Sequence, residues 1–121
     1  MRQCLIVDDS RVIRKLACRI LEDLDYVTAE ADDRDSALEQ CRSNMPDVIL
    51  LDGDMPNSNG IEFVRALRGD KNGAKPVVIY CATEVNVPLI TQALTSGANE
   101  YLLKPYDKSD VKAKLASLGL A

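Results

Sequence analysis

The chain has 121 residues, the length of one domain, and a chain of this size buries roughly two-thirds of its unfolded surface without help from a disulfide or structural metal. Its 46% hydrophobic and 28% charged residues are ordinary for a globular domain, and a net charge of −4, from 19 acidic and 15 basic residues, argues against a nucleic-acid surface, which needs a basic face. Histidine is absent, which excludes histidine-based catalysis, histidine-containing metal sites and a phosphohistidine carrier, and no apolar run approaches the roughly 18 residues that span a membrane.

Cys4-Leu5-Ile6-Val7 is a short apolar run ending in Asp8-Asp9-Ser10, which reads as a buried strand with carboxylates at its carboxyl end. Ser10 is an N-cap candidate. Val12, Ile13, Leu16, Ala17, Ile20, Leu21 and Leu24 then recur at helical spacing. Tyr26 to Ala31 alternates and predicts a second strand; Asp32 or Asp33 can cap the next helix, whose apolar stripe is Ala37, Leu38 and Cys41. Asn44-Met45-Pro46 ends it, because the residue before proline is pushed out of helical geometry.

Val48-Ile49-Leu50-Leu51 runs directly into Asp52-Gly53-Asp54-Met55-Pro56, a strand buried on both faces whose end carries a carboxylate. Asn57-Ser58-Asn59-Gly60 reads as a turn-rich loop, followed by a helix using Ile61, Phe63, Val64 and Leu67, and by a surface loop over Gly69 to Gly73. Pro76 to Cys81 is a fourth strand. Pro88 suits a helix first turn, with Leu89, Ile90, Ala93 and Leu94 as the inner face and Gly97 as the C-terminal signal. Glu100 to Lys104 is a fifth strand stopped by Pro105, and Asp107 to Leu118 a last helix with Val111, Leu115 and Leu118 inward. Five alternations of strand and helix predict an α/β fold: a parallel sheet with right-handed crossovers and helices on both faces. Cys4 and Cys81 fall in strands, Cys18 and Cys41 in helices, with no CxxC pair, which suits reduced core thiols in a cytosolic protein. The acidic Asp8-Asp9 pair is unlike a signal peptide.

The strand ends collect Asp8, Asp9, Asp52, Asp54, Thr83 and Lys104. Carboxylates crowded together repel unless a cation sits among them, and an all-oxygen donor set suits Mg²⁺ or Mn²⁺ rather than zinc. A carboxylate beside such an ion and a lysine can attack a phosphoryl group and form an aspartyl phosphate.

Across essentially its whole length the chain resembles the receiver domain of two-component response regulators. The resemblance rests on Val7-Asp8-Asp9-Ser10, Leu51-Asp52-Gly53-Asp54-Met55-Pro56 with Asn59-Gly60, Pro76-Val77-Val78-Ile79, Ser96-Gly97-Ala98 with Tyr101, and Lys104-Pro105. The helix start Asp9 to Arg14 and the Gly119-Leu120 ending are similar to stand-alone CheY-like receivers of the alphaproteobacterial type. The resemblance implies a doubly wound, flavodoxin-like (βα)5 domain over residues 1–121, strand order 2-1-3-4-5, with no output domain. It implies Asp52 as phosphoacceptor and Asp8, Asp9, Asp52 and the Asp54 backbone carbonyl as ligands of Mg²⁺ (or Mn²⁺). It further implies Lys104 against the phosphoryl group, a cis bond before Pro105, and Tyr101 as the aromatic switch. A sensor histidine kinase would be the donor, and a downstream protein the target, met through the helix 4–strand 5–helix 5 face with Tyr101, Tyr106, Lys108 and Lys112 as exposed candidates. The domain would be cytoplasmic, with no nucleic-acid or membrane partner, monomeric at rest and able to pair on phosphorylation, and not an enzyme beyond its own phosphorylation and dephosphorylation; chemotaxis is one setting.

One position departs from the family. A Thr or Ser normally ends strand four; the local motif puts Cys81 there and the spacing puts Ala82 there, and we favour the spacing. Neither carries a hydroxyl, so Thr83 is the stand-in candidate and weaker coupling to Tyr101 is expected. A lost charge-assisted hydrogen bond costs roughly 1.5–3 kcal/mol. Asp54 is a second, smaller departure. Two rival readings remain: a pseudo-receiver that binds partners without phosphorylation, and a small phosphatase using Asp52-Gly53-Asp54 as a DxD nucleophile, which Pro56 and the order of the acidic motifs oppose.

Overall fold

The computed structural model describes residues 1–56 and 59–120. Five strands alternate with five helices: β1 Gln3–Val7, α1 Arg11–Asp23, β2 Val27–Ala31, α2 Arg34–Ser43, β3 Val48–Asp52, α3 Asn59–Gly69, β4 Val77–Ala82, α4 Val87–Ser96, β5 Glu100–Leu103 and α5 Lys108–Ser117. All pairings are parallel and the sheet order is β2-β1-β3-β4-β5, the flavodoxin-like order.

Alternation along each strand sends side chains to opposite faces, and the two faces make two cores. Leu5, Val7, Ile49, Leu51, Val78 and Tyr80 face α2, α3 and α4, where Leu38, Phe63, Val64, Leu67 and Ala93 meet them. Cys4, Ile6, Val48, Leu50, Ile79 and Cys81 face α1 and α5, where Ala17, Leu21, Val111 and Leu115 meet them. All five residues of β3 are buried, as a central parallel strand requires. The four cysteines are free and buried, and burial pushes the Cys81 thiol up to about 12 and the Cys41 thiol to about 11, so they act as apolar filler.

Local chemistry sets the helix starts. Ser10 accepts from the Ile13 N–H, Asp33 from Ser36 and Asn86 from Leu89, and Asp107 with Asp110 forms a reciprocal capping box. Gly97, at φ 125°, closes α4 in a conformation that disfavours a side chain.

Three sequence expectations are corrected. The apolar stripe of α1 is wider than its contact face: Val12 and Leu16 are 68% and 57% exposed, because the helix packs on the sheet through Ala17, Cys18 and Leu21. On α4 only Ile90 and Ala93 are buried, while Leu89 and Leu94 are exposed. The loop expected over Asn57-Ser58-Asn59-Gly60 is cut short, since α3 already begins at Asn59; Asn57 and Ser58 lie outside the described residues.

Candidate functional site

In this strand order the chain leaves β1 in one direction toward β2 and returns on the other side to β3. The carboxyl ends of β1 and β3 therefore flank the crevice where ligands bind in open α/β sheets. β1 pairs with β3 through Val7 and Leu51, so the next residues, Asp8 and Asp52, emerge side by side. Both are buried, at 4% and 3% exposure, while Asp9 is exposed. One carboxylate oxygen from each of Asp8, Asp9 and Asp52 lies within 4.8 Å of the others.

Lys104 reaches this cluster from the end of β5, placed by its own N–H, which donates to the Ala82 carbonyl (2.8 Å). Its Nζ lies 2.8 Å from Asp52 Oδ1, 3.2 Å from Asp8 Oδ2 and 3.8 Å from Asp54 Oδ2. The Lys104–Pro105 peptide is cis. One buried ammonium thus serves several carboxylates, and the titration directions show the imbalance. Burial, with the Asp52 charge, lifts Asp8 above the ordinary carboxyl range despite the Ser10 N–H and Lys104. For Lys104, burial opposes the charged form, but the bond to Asp52 and the charges of Asp52 and Asp8 outweigh it and hold the ammonium more firmly than usual.

Asp8 is held by the Ser10 N–H on Oδ1 (2.8 Å), and its carbonyl accepts from Arg14 Nη1 (2.8 Å). On Asp52, Oδ1 accepts from Lys104 and from the Asp54 N–H (2.8 Å); neither bond falls on Oδ2. The peptide that supplies this N–H is clamped at its other end too, since Tyr80 OH donates to the Gly53 carbonyl at 3.2 Å. A Cβ on Gly53 would sit 2.4 Å from the Tyr80 ring, so only glycine lets the chain pass here. Tyr80 is also the register partner of Tyr101 on β5.

The two alternatives at the end of β4 lie in different environments. Cys81, 2% exposed, points into the core beside Cys4 and Ile6, so Ala82 is the half-exposed strand-end residue, paired with Leu103. Thr83 is exposed and meets the site through its backbone N–H, which donates to Asp54 Oδ2 at 3.1 Å. Tyr101 is half-buried against the α3–α4 core, with Lys114 Nζ 5.5 Å from its ring centre. Tyr106, Lys108 and Lys112 lie on or beside α5; both lysines are exposed, Tyr106 is half-buried, and burial pushes its hydroxyl far up. Sequence reasoning missed the roles of the Tyr80 hydroxyl and the Asp54 side chain; a lone hydroxyl inside the apolar run Val77–Cys81 was the available signal for the first.

A cavity of about 220 Å³ opens beside the cluster, between Gly53, Asp54 and Tyr80 on one side and Thr83, Leu89 and Ile90 on the other. A larger groove of about 560 Å³, lined by Gln3, Val27, Thr28 and Gln40, lies toward the opposite end of the sheet. No helix among the described residues is long and apolar enough to cross a membrane.

Comparison with known proteins agrees with this geometry. The chain is 34% identical over 115 residues to the chemotaxis protein CheY of Pseudomonas aeruginosa, covering 94% of this chain and 93% of that protein. It is 32% identical over 118 residues to the phosphate regulon transcriptional regulatory protein PhoB of Escherichia coli, covering 97% of this chain but 51% of PhoB, so it spans about half the length of that relative. The structure of Vibrio cholerae chemotaxis protein CheY4 superposes with a TM-score of 0.91 at 30% identity, over 97% of this chain and 98% of that one. The family model described as the response regulator receiver domain matches residues 4–116. With the 2-1-3-4-5 sheet and an acidic cluster at its switch point, this match places the chain in the response regulator receiver family, among its CheY-like members.

Proposed function

We propose that the domain receives a phosphoryl group on Asp52 from the phosphohistidine of a sensor histidine kinase and uses it to switch its α4–β5–α5 face for a downstream protein. The observation that carries this reading is Lys104, whose Nζ touches both Asp52 and Asp8 beside a cluster of three carboxylates. Asp52 Oδ1 is already committed to Lys104 and the Asp54 N–H, which leaves Oδ2 as the attacking oxygen. It forms a P–O bond as the P–N bond of the donor breaks; the electron pair returns to the imidazole nitrogen, which takes up a proton from solvent. Lys104 offsets charge on the transferring oxygens and the Gly53–Asp54 peptide holds the carboxylate in place.

The oxygen-only cluster of Asp8, Asp9 and Asp52 fits a hard divalent cation such as Mg²⁺ or Mn²⁺ and does not fit zinc. Those three side chains, with the Asp54 carbonyl, would hold it. When bound it supplies further neutralisation of phosphoryl charge. Return to rest is hydrolysis of the acyl phosphate: water attacks phosphorus and Asp52 leaves as a carboxylate. We place this activity in the cytoplasm, in a single receiver domain over residues 1–121, monomeric at rest; the similarity to CheY proteins supports a chemotaxis setting.

The test uses phosphoramidate, which carries a P–N bond, with Mg²⁺. The intact protein is expected to gain the mass of one phosphoryl group, and Asp52→Asn none. A wild-type protein that gains nothing, and binds no beryllofluoride with Mg²⁺, would transfer the conclusion to the pseudo-receiver reading that the missing hydroxyl at Ala82 favours.

A further inference from the structure

Ala82 leaves the receiver without the hydroxyl that would tie a phosphoryl oxygen to β4, so the end of β4 and its loop need another link to the site. The structure shows what that loop holds at rest. The Thr83 N–H donates to Asp54 Oδ2 at 3.1 Å, and the same oxygen lies 3.8 Å from Lys104 Nζ. A carboxylate therefore already occupies a backbone donor and lies near the ammonium that a phosphoryl group on Asp52 requires.

We infer that the Asp54 carboxylate is a resting-state latch on the β4–α4 loop, and that a phosphoryl group on Asp52 releases it by taking its place at the Thr83 N–H and Lys104. This rests on the reading of Asp52 as phosphoacceptor. Three observations support it. A phosphoryl group brings close to two negative charges and three strong acceptor oxygens into a space whose one ammonium already faces Asp8, Asp52 and Asp54. Like charges at that distance repel, and Asp54 is the carboxylate free to leave: its side chain is 40% exposed, against 5% and 2% for Asp8 and Asp52. The loop is otherwise lightly held. Thr83, Glu84, Val85 and Asn86 are all exposed; Asn86 is tied to α4 through the Leu89 and Ile90 N–H groups, and the bond within the loop is Asn86 N–H to the Glu84 carbonyl.

The latch also sits where its release can spread. Asp54 and Thr83, joined by this bond, both line the 220 Å³ cavity that Leu89 and Ile90 of α4 complete, so a freed loop has room to shift. Tyr80 lines the same cavity and is the cross-strand partner of Tyr101. Asp54 is thus a positioning residue, acting on Tyr101 through the loop rather than on the reacting atoms. Its carboxylate does by departure what a strand-four hydroxyl does by attraction.

Amide NMR of the full chain tests this, with beryllofluoride and Mg²⁺ as the phosphoryl probe and Asp54→Ala as the variant. Without the probe, Asp54→Ala is expected to move the amides of Thr83 to Ile90 and of Tyr101 at least halfway toward their wild-type beryllofluoride positions. The further change on adding the probe should shrink accordingly. Asp54→Asn, whose amide oxygen can still accept from Thr83 without the charge, should fall between the two and guards against a folding defect in the alanine variant. Changes confined to residues 53–55 and 83, with a full beryllofluoride response at Tyr101, would overturn the latch. Fluorine NMR separates the two readings. Absence of bound beryllofluoride on wild type removes Asp52 as acceptor and the latch with it. Bound beryllofluoride with an unmoved Thr83 amide overturns the latch alone.

Discussion

Two ion clusters in this domain are built on opposite arithmetic. At the strand ends one ammonium, Lys104, faces Asp8, Asp52 and Asp54, and Asp8 is held above its ordinary range by burial and by the Asp52 charge. On the flank of the sheet two cations, Arg14 and Lys15, share one carboxylate, Glu30, at 3.1 and 2.6 Å, and the Lys15 bond leads in holding Glu30 below its ordinary range. The flank cluster is satisfied as it stands and ties α1 to β2. The strand-end cluster is short of positive charge, a shortage that an incoming cation relieves. A buried cluster with unbalanced charge is where a functional site is sought.

Removing the lone cation should expose the shortage most. Lys104→Met leaves Asp8 and Asp52 buried without a cation, and a loss of about 3–5 kcal/mol is expected in cation-free urea unfolding; a loss under about 1 kcal/mol would mean the two clusters do not differ. Adding positive charge should act in reverse. At about 100 times its dissociation constant, Mg²⁺ should stabilise the wild type by about 2.7 kcal/mol, and Glu30→Gln should leave that gain unchanged. Thermal unfolding with and without Mg²⁺ decides it, and a wild type indifferent to Mg²⁺ would end the proposed cation site.

Smaller effects separate the clusters by sign. Asp8→Asn keeps the acceptor for the Ser10 N–H and removes one charge, so in cation-free buffer it should stabilise by about 1 kcal/mol, an ordinary single-site magnitude in an unusual direction. Glu30→Gln should destabilise by less than about 1 kcal/mol at pH 7, because the pair is partly exposed. The pH dependence follows from the lowered Glu30 value. Its contribution is fully present above the unfolded value, 4.5, and is lost as pH falls through the lower folded value. Wild type and Glu30→Gln should therefore converge in stability on acidification below about pH 4.5; a gap that persisted there would assign the loss to packing instead of charge.

The charged strand ends were readable because the chain writes them plainly. An apolar run that stops at a carboxylate, as at Val7-Asp8 and Leu51-Asp52, can bury its backbone in a sheet and marks the strand's carboxyl end at the charge. The same logic reached Lys104 after Leu103. It failed where two positions share a periodicity but not an environment. Val12 and Leu16 fit the helical stripe of α1 as well as Ala17 and Leu21 do, and only the docking of the helix on the sheet decides which side is covered. Leu89 and Leu94 on α4 failed for the same reason. Cys81 and Ala82 were ambiguous between motif and spacing, and only their burial separates them: Cys81 lies in the core and Ala82 is half-exposed.

By itself, then, the order of residues determined the elements, their parallel arrangement and the charged residues at their ends, because burial of apolar runs and capping of helices are local matters. Which oxygen of Asp52 is engaged, that the Tyr80 hydroxyl clamps the Gly53–Asp54 peptide, and that the Asp54 carboxylate meets the Thr83 N–H were decided only in three dimensions. The last two contacts join segments 27 and 29 residues apart in the chain, and a hydrogen bond depends on ångström-scale placement that no spacing encodes.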